Sequence, residues 1–106
     1  MNAIVIYCTV PTKDDAKKIS KALIESNLAA CVSTVDKVNS LFSWNGETCS
    51  EHELLLIIKT RIDLFDKIEY VINELHPYNV PEIIALPVIK ASQEYLGWIE
   101  HETTDT

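Results

Sequence analysis

Residues 28–47, LAACVSTVDKVNSLFSWNGE, decide the fold. Ala30 and Val32 alternate with small or polar neighbours, as in a strand with one buried face. The phase then slips through Val35, Val38, Phe42 and Trp44, and a slip within one strand reads as a bulge or bend. Asn45-Gly46 is a hairpin turn, because a type I′ turn needs positive φ at both central residues and this pair tolerates it. The returning strand is HELLLIIKT, residues 52–60. The centre of the chain is therefore a long two-stranded ribbon.

The flanks attach to that ribbon in order. Upstream, AIVIYCTV is a continuous apolar run and predicts a central strand over 3–10. A helix over 13–26 follows, with Thr12 as N-cap and Asp14 and Asp15 in its first turn. Its apolar stripe is Ala16, Ile19, Ala22 and Leu23. Downstream, Asp63 is placed to cap a second helix over 64–75, which Pro77 ends. EIIALPVIK, residues 82–90, predicts the fourth strand, and Pro87 puts it at an edge or a bulge. Ser92 caps a short C-terminal helix containing Tyr95, Leu96, Trp98 and Ile99. The order βαββαβ plus a helix is the α+β, ferredoxin-like sandwich, one domain over 1–106. Right-handed crossovers predict spatial order 4-1-3-2, with both main helices on one face. The central strands are apolar on both sides, so the face without helices needs a cover, and an oligomer is expected.

Composition narrows the partners. A net charge of −7 excludes nucleic acid and anionic membranes, which require a positive field. No run approaches the ~20 apolar residues of a membrane span, and the N-terminal run is too short for a secretory core. The three cysteines, Cys8, Cys31 and Cys49, form no C-x-x-C pair. Reduced thiols and a cytoplasmic location are expected. A single methionine excludes a methionine-rich copper site. With two glycines there is no phosphate-binding loop, and no nucleophile elbow is present.

Six motifs in this order, CTVP, AACV, WNGE, LLIIKT, HPYNVPEI and YLGW, resemble the CutA family of divalent-cation tolerance proteins along essentially the whole chain. The resemblance implies a homotrimer with PII-like architecture, copper as a bound divalent metal ion, involvement in the response to metal ions, and no enzymatic activity. The copper ligands proposed for the bacterial family fall here on Cys8 and His76, while Leu75 stands where that pattern has a further histidine. The alternative is a PII-like regulator that binds a small ligand in clefts between subunits. The resemblance also implies, for the animal members, an association with a membrane enzyme, and any other protein partner of this chain is left open.

The topology brings Cys8 and His76 together independently of the resemblance. Antiparallel neighbours lie about 4.8 Å apart, so the end of strand one meets the start of strand four. Thiolate and imidazole are ligands that copper prefers. Against this stands the reading of Cys8 as a small buried hydrophobe and of His76 as a residue bonding carbonyls at a helix end. A catalytic thiolate pair lacks a third, orienting group. Cys31 falls at the opposite end of the sheet. Glu51 and Glu53, around His52, read as a solvated acidic strand end. Tyr7, Lys59, Tyr78, Glu82 and Trp98 are expected to line intersubunit clefts or to bond one another across an interface.

Overall fold

In the computed structural model, which describes residues 2–104, the elements are β1 (Ala3–Val10), α1 (Lys13–Glu25), β2 (Cys31–Trp44), β3 (Glu47–Arg61), α2 (Phe65–Leu75), β4 (Ile84–Pro87) and α3 (Gln93–Glu102). The four strands make one antiparallel sheet in the order β2-β3-β1-β4, as the sequence predicts.

One set of alternate residues on the two central strands faces the helices. Ile4, Ile6, Cys8 and Val10 of β1 join Leu54, Leu56 and Ile58 of β3 in a single core. Ala16, Ile19 and Leu23 of α1 and Ile68 and Ile72 of α2 complete it. The period of two on the strands meets the period of 3.6 on the helices, and both place their apolar residues in one layer. Thr12 caps α1 as expected: its hydroxyl oxygen accepts the Asp15 N–H at 3.1 Å. Asn27, at φ 60°, reverses the chain after α1, and the Leu28 N–H donates to the Leu23 carbonyl.

The ribbon has the predicted irregularity. The β2–β3 register shifts between Val35 and Val38, and Lys37 takes φ 62°. The tip carries positive φ at both Asn45 (52°) and Gly46 (81°), the signature of the type I′ turn. Pairing starts directly after the turn, so β3 begins at Glu47 rather than at 52. The segment 47–51 is too polar to announce a strand, and the turn imposes the pairing instead.

Two boundaries differ for identifiable reasons. Asp63 does not cap α2. It lies inside a 3-10 turn over 62–64, and its exposed carboxylate accepts from the Arg61 guanidinium at 3.1 Å. The fourth strand spans only 84–87. Pro87 has no N–H to donate, and after one further bond from Val88 to the Ala3 carbonyl the chain leaves the sheet.

Helix α3 begins at its Ser92 cap and lies on the opposite face of the sheet. Arg61 of β3 ties it down, donating to the Thr103 hydroxyl and carbonyl at 2.9 Å each. Ala3 and Ile99 are buried there, outside the main core. The rest of that face is not covered: Val35, Ile84 and Leu86 are exposed. No helix among the described residues is long and apolar enough to cross a membrane.

Candidate functional site

The end of β1, the tail of α2 and the start of the outer ribbon meet at one place. Val10 pairs with Leu54, so Glu53 lies just beyond the last β1–β3 pair. Proline at 77 disfavours helical backbone at His76 and sends it extended, at φ −78° and ψ 136°. The His76 N–H still donates to the Ile72 carbonyl at 2.8 Å, which closes α2. The imidazole is thereby turned back against β1.

Both of its ring nitrogens are engaged. The Tyr78 N–H donates to Nδ1 at 3.1 Å, which fixes Nδ1 as an acceptor. Nε2 therefore carries the proton and donates to the Thr9 carbonyl at 2.7 Å. The rings of His76 and Tyr78 lie 4.7 Å apart, tilted by 50°. Cys8 is fully buried, and its thiol points to the same Thr9 carbonyl at 3.8 Å. The two residues singled out in the sequence thus converge on one backbone oxygen.

Three further groups surround them. The Tyr78 hydroxyl donates to Glu53 Oε2 at 2.9 Å. Burial, and then the charge of Glu53, raise the Glu82 carboxyl above its usual range. The Cys8 thiol is pushed from 9.0 up to about 12, first by burial and then by the charges of Glu82 and Glu53. Tyr78 is also pushed up to about 12, by burial and by its bond to Glu53. The thiol is therefore protonated at neutral pH, and a cation must displace that proton to gain a thiolate. At His76, a cation must either take Nδ1 from the Tyr78 N–H or take Nε2 from its proton. Among the described residues, no group of three or more His, Cys, Asp or Glu side chains is disposed to hold a metal ion.

Glu53 corrects the reading of a solvated acidic strand end. It is buried and bonded to Tyr78, whereas Glu51 and His52 are exposed. Strand alternation alone gives Glu53 and Glu51 the same surroundings. The signal that separates them is the tyrosine of HPY, a half-buried phenol that needs an acceptor. Cys31 lies at the opposite end of the sheet, paired in register with Lys59. The Lys59 ammonium donates to the Ser33 hydroxyl and lies 3.6 Å from the Cys31 sulfur. Trp98 stacks at 5.4 Å on Tyr95 within α3, away from the histidine loop.

Residues 4–102 match the family described as "CutA1 divalent ion tolerance protein". The chain is 44% identical over 99 residues to the divalent-cation tolerance protein CutA of Thermus thermophilus, covering 93% of this chain and 96% of that protein. It is 42% identical over 101 residues to the chloroplastic CutA protein of Arabidopsis thaliana, covering 95% of this chain but only 56% of that longer one. The solved structure of CutA1 from Oryza sativa superposes with a TM-score of 0.95 at 39% identity, covering 100% of this chain and 97% of the other.

Proposed function

Because this chain belongs to the CutA1 divalent ion tolerance family, we propose that it is a non-enzymatic cytoplasmic homotrimer that binds copper, or another divalent cation, weakly and reversibly in the response to metal ions. The observation that carries the metal reading is the convergence of the Cys8 thiol and the His76 imidazole on the Thr9 carbonyl, beside Glu53 and Glu82. Sulfur and nitrogen donors suit copper, and the carboxylates favour a cation over an anion. Leu75 leaves the site one histidine short of the bacterial pattern. The thiol proton and the two hydrogen bonds of His76 must also be given up, so affinity is low and binding releases protons.

Self-association is supported by what the isolated chain leaves open. Leu41, Phe42 and Trp44 protrude at the ribbon tip, with Leu41 75% exposed. Ile84 and Leu86 are exposed on the sheet face. Apolar groups grouped in this way mark an interaction surface. Three unpaired cysteines suit a reducing compartment.

The test is a copper titration by calorimetry beside sedimentation. The assembled mass is expected at about three times the 12.0 kDa of the chain. Cys8→Ser and His76→Ala each weaken copper binding, and together they weaken it by less than the sum because they share one ion. Leu75→His strengthens it, and the trimer survives each change. An isotherm untouched by both deletions leaves His76 as a structural pin for its loop and ends the metal reading at this position.

A further inference from the structure

Among the described residues, Asp15, Glu53, Lys59, Arg61 and Glu82 are the acidic and basic residues that folding withdraws at least partly from solvent. Three of them are satisfied within the chain. The Asp15 carboxylate accepts from the Thr12 hydroxyl at 2.7 Å, Glu53 accepts from Tyr78, and Arg61 donates to Asp63 and Thr103. The Lys59 ammonium reaches the Ser33 hydroxyl and the Cys31 sulfur but no carboxylate. Glu82 has no side-chain hydrogen bond or ion pair among the described residues. A charge drawn partly out of water without a counter-charge is destabilising, and these two have opposite signs.

Both belong to the sheet face that α1 and α2 leave open. Leu56 and Ile58 point into the core, so Lys59 points to the other side, as does Arg61, which holds α3 there. Val5 pairs with Lys59 on one flank and with the exposed Leu86 on the other. Glu82 precedes the exposed Ile84, the partner of Tyr7, by two residues and so has the same parity. Continuing that register sets Lys59 and Glu82 about 16 Å apart, two strand spacings across the sheet and four residues along it. That is more than the two side chains span, so they cannot neutralise one another within a chain. Ile84 and Leu86 lie between them, an apolar strip with an unpaired charge toward either end.

We propose that Lys59 of one subunit and Glu82 of the next form an ion pair across the contact between copies of this chain, one pair at each contact. The inference rests on the homotrimer reading and names the residues that set its register. The two charges are complementary, share one open face and are too far apart to serve one another in one chain, so a second copy supplies what each lacks. A contact that joins different residues of two identical chains runs head to tail, and head-to-tail contacts close into a ring when the rotation allows. Exposed acids such as Glu47 and Glu51 remain hydrated and gain little from a partner. Glu82 has already lost part of its water, and burial holds its carboxyl above the usual range in the isolated chain. Ion pairs of this kind contribute more to specificity than to affinity, and here the pair selects one rotation of the apolar strip over others.

Charge reversal in the full chain, read by sedimentation over a dilution series, tests the pair. Lys59→Glu and Glu82→Lys each bring like charges together and are expected to raise the dissociation midpoint at least about tenfold. The double variant restores the pair with its signs exchanged and is expected to return to within about threefold of the original chain. Lys67→Glu, on the exposed side of α2, is expected to leave the midpoint unchanged. A second measurement needs no variant to fold. Zero-length carbodiimide coupling of the original chain is expected to give species of two and three chain masses on a denaturing gel, with Lys59 and Glu82 joined in the mapped peptides. The pair is overturned if both single reversals leave association unaltered, if Lys67→Glu weakens it equally, if the folded double variant associates no better than the single ones, or if coupled assemblies contain no Lys59–Glu82 link. A monomeric original chain would overturn the homotrimer reading together with the pair, whereas these four results in a chain that assembles would overturn the pair alone.

Discussion

The ribbon of β2 and β3 has two halves built on the same ladder with opposite fates. In the inner half, Cys31–Val35 pairs with Leu55–Lys59, and alternate β3 residues lie in the core under the helices. In the outer half, Val38–Trp44 pairs with Glu47–Glu53, but β1 stops at the partner of Leu54 and no third strand supports the pair. Leu56 is fully buried, while Leu41 is 75% exposed. Backbone pairing holds in both halves on either side of the bulge, so it is not what makes one half a core. The difference lies in the second layer. Two-stranded ribbons are marginal alone in water, and this one carries Leu41, Phe42 and Trp44 where a solitary ribbon would carry polar residues. In the proposed homotrimer the second layer of the outer half would come from another subunit, and the bulge at Val35–Val38 marks the border between the two halves.

Truncating one leucine in each half breaks this comparison most directly. Leu56→Ala opens a cavity among Ile6, Ile58 and their neighbours and is expected to lower chain stability by about 2–5 kcal/mol. Leu41→Ala removes an exposed side chain and is expected to change the stability of the isolated chain by less than about 0.5 kcal/mol. Its effect belongs to assembly: the sedimenting species becomes smaller at low protein concentration while circular dichroism stays unchanged. Equal losses of fold stability in both variants, by chemical denaturation, would show that the outer half already has its second layer within the chain.

Cys8 of β1, which pairs with Leu56 of the inner half, carries a pH signature. Folding keeps the Cys8 thiol protonated up to about 12, whereas in the unfolded chain it ionises near 9.0. Between those values the unfolded state has fewer bound protons, so stability is fully present below pH 9 and falls as pH rises toward 12. The full window corresponds to roughly 4 kcal/mol at about 1.4 kcal/mol per pKa unit. Cys8→Ala is expected to flatten the alkaline limb of a pH–stability curve. Cys49, in the outer half, is only partly buried, and Cys49→Ala is expected to leave that limb in place. A limb unaltered by Cys8→Ala would assign the alkaline loss to other groups.

The same division explains what was legible in the sequence. Strand order, the α1 cap, the bulge and the Asn45-Gly46 turn all follow from local chemistry or from chain chirality, and the structure has each of them. Cys8 and His76 meet because β1 and β4 are neighbours, which the topology requires. What escaped was context. Asp63 has the side chain of a cap but lies inside a 3-10 turn over 62–64, where its carboxylate accepts from Arg61 instead. The fourth strand is half its expected length because a proline removes a donor that periodicity cannot register. Glu53 looks like a surface acid, and only the partner that a tertiary fold delivers to it, Tyr78, accounts for its burial.

The smallest expected effect tests that border residue. Glu53 opens the outer half, yet its carboxylate is held by Tyr78 from the inner body, so this one hydrogen bond joins the two regions. Tyr78→Phe keeps the ring against His76 and removes only the hydroxyl. A bond to a charged acceptor contributes about 1.5–3 kcal/mol when buried, and the half-exposed tyrosine puts this one below that range, near ~1 kcal/mol. The charge left on Glu53 still faces Glu82 and Cys8, whose protonated forms it favours, so the Cys8 part of the alkaline limb remains while the part due to the raised Tyr78 phenol goes with its hydroxyl. Hydrogen exchange should reveal the change more clearly than melting does. With the tie cut, amides of 49–53 are expected to exchange faster, while those of 55–60 keep their protection because the core beneath them is untouched. Faster exchange in both segments would mean that the two halves open as one unit and that the border lies elsewhere. No change in either would mean that Glu53 is held by the ribbon itself, with the tyrosine a bystander.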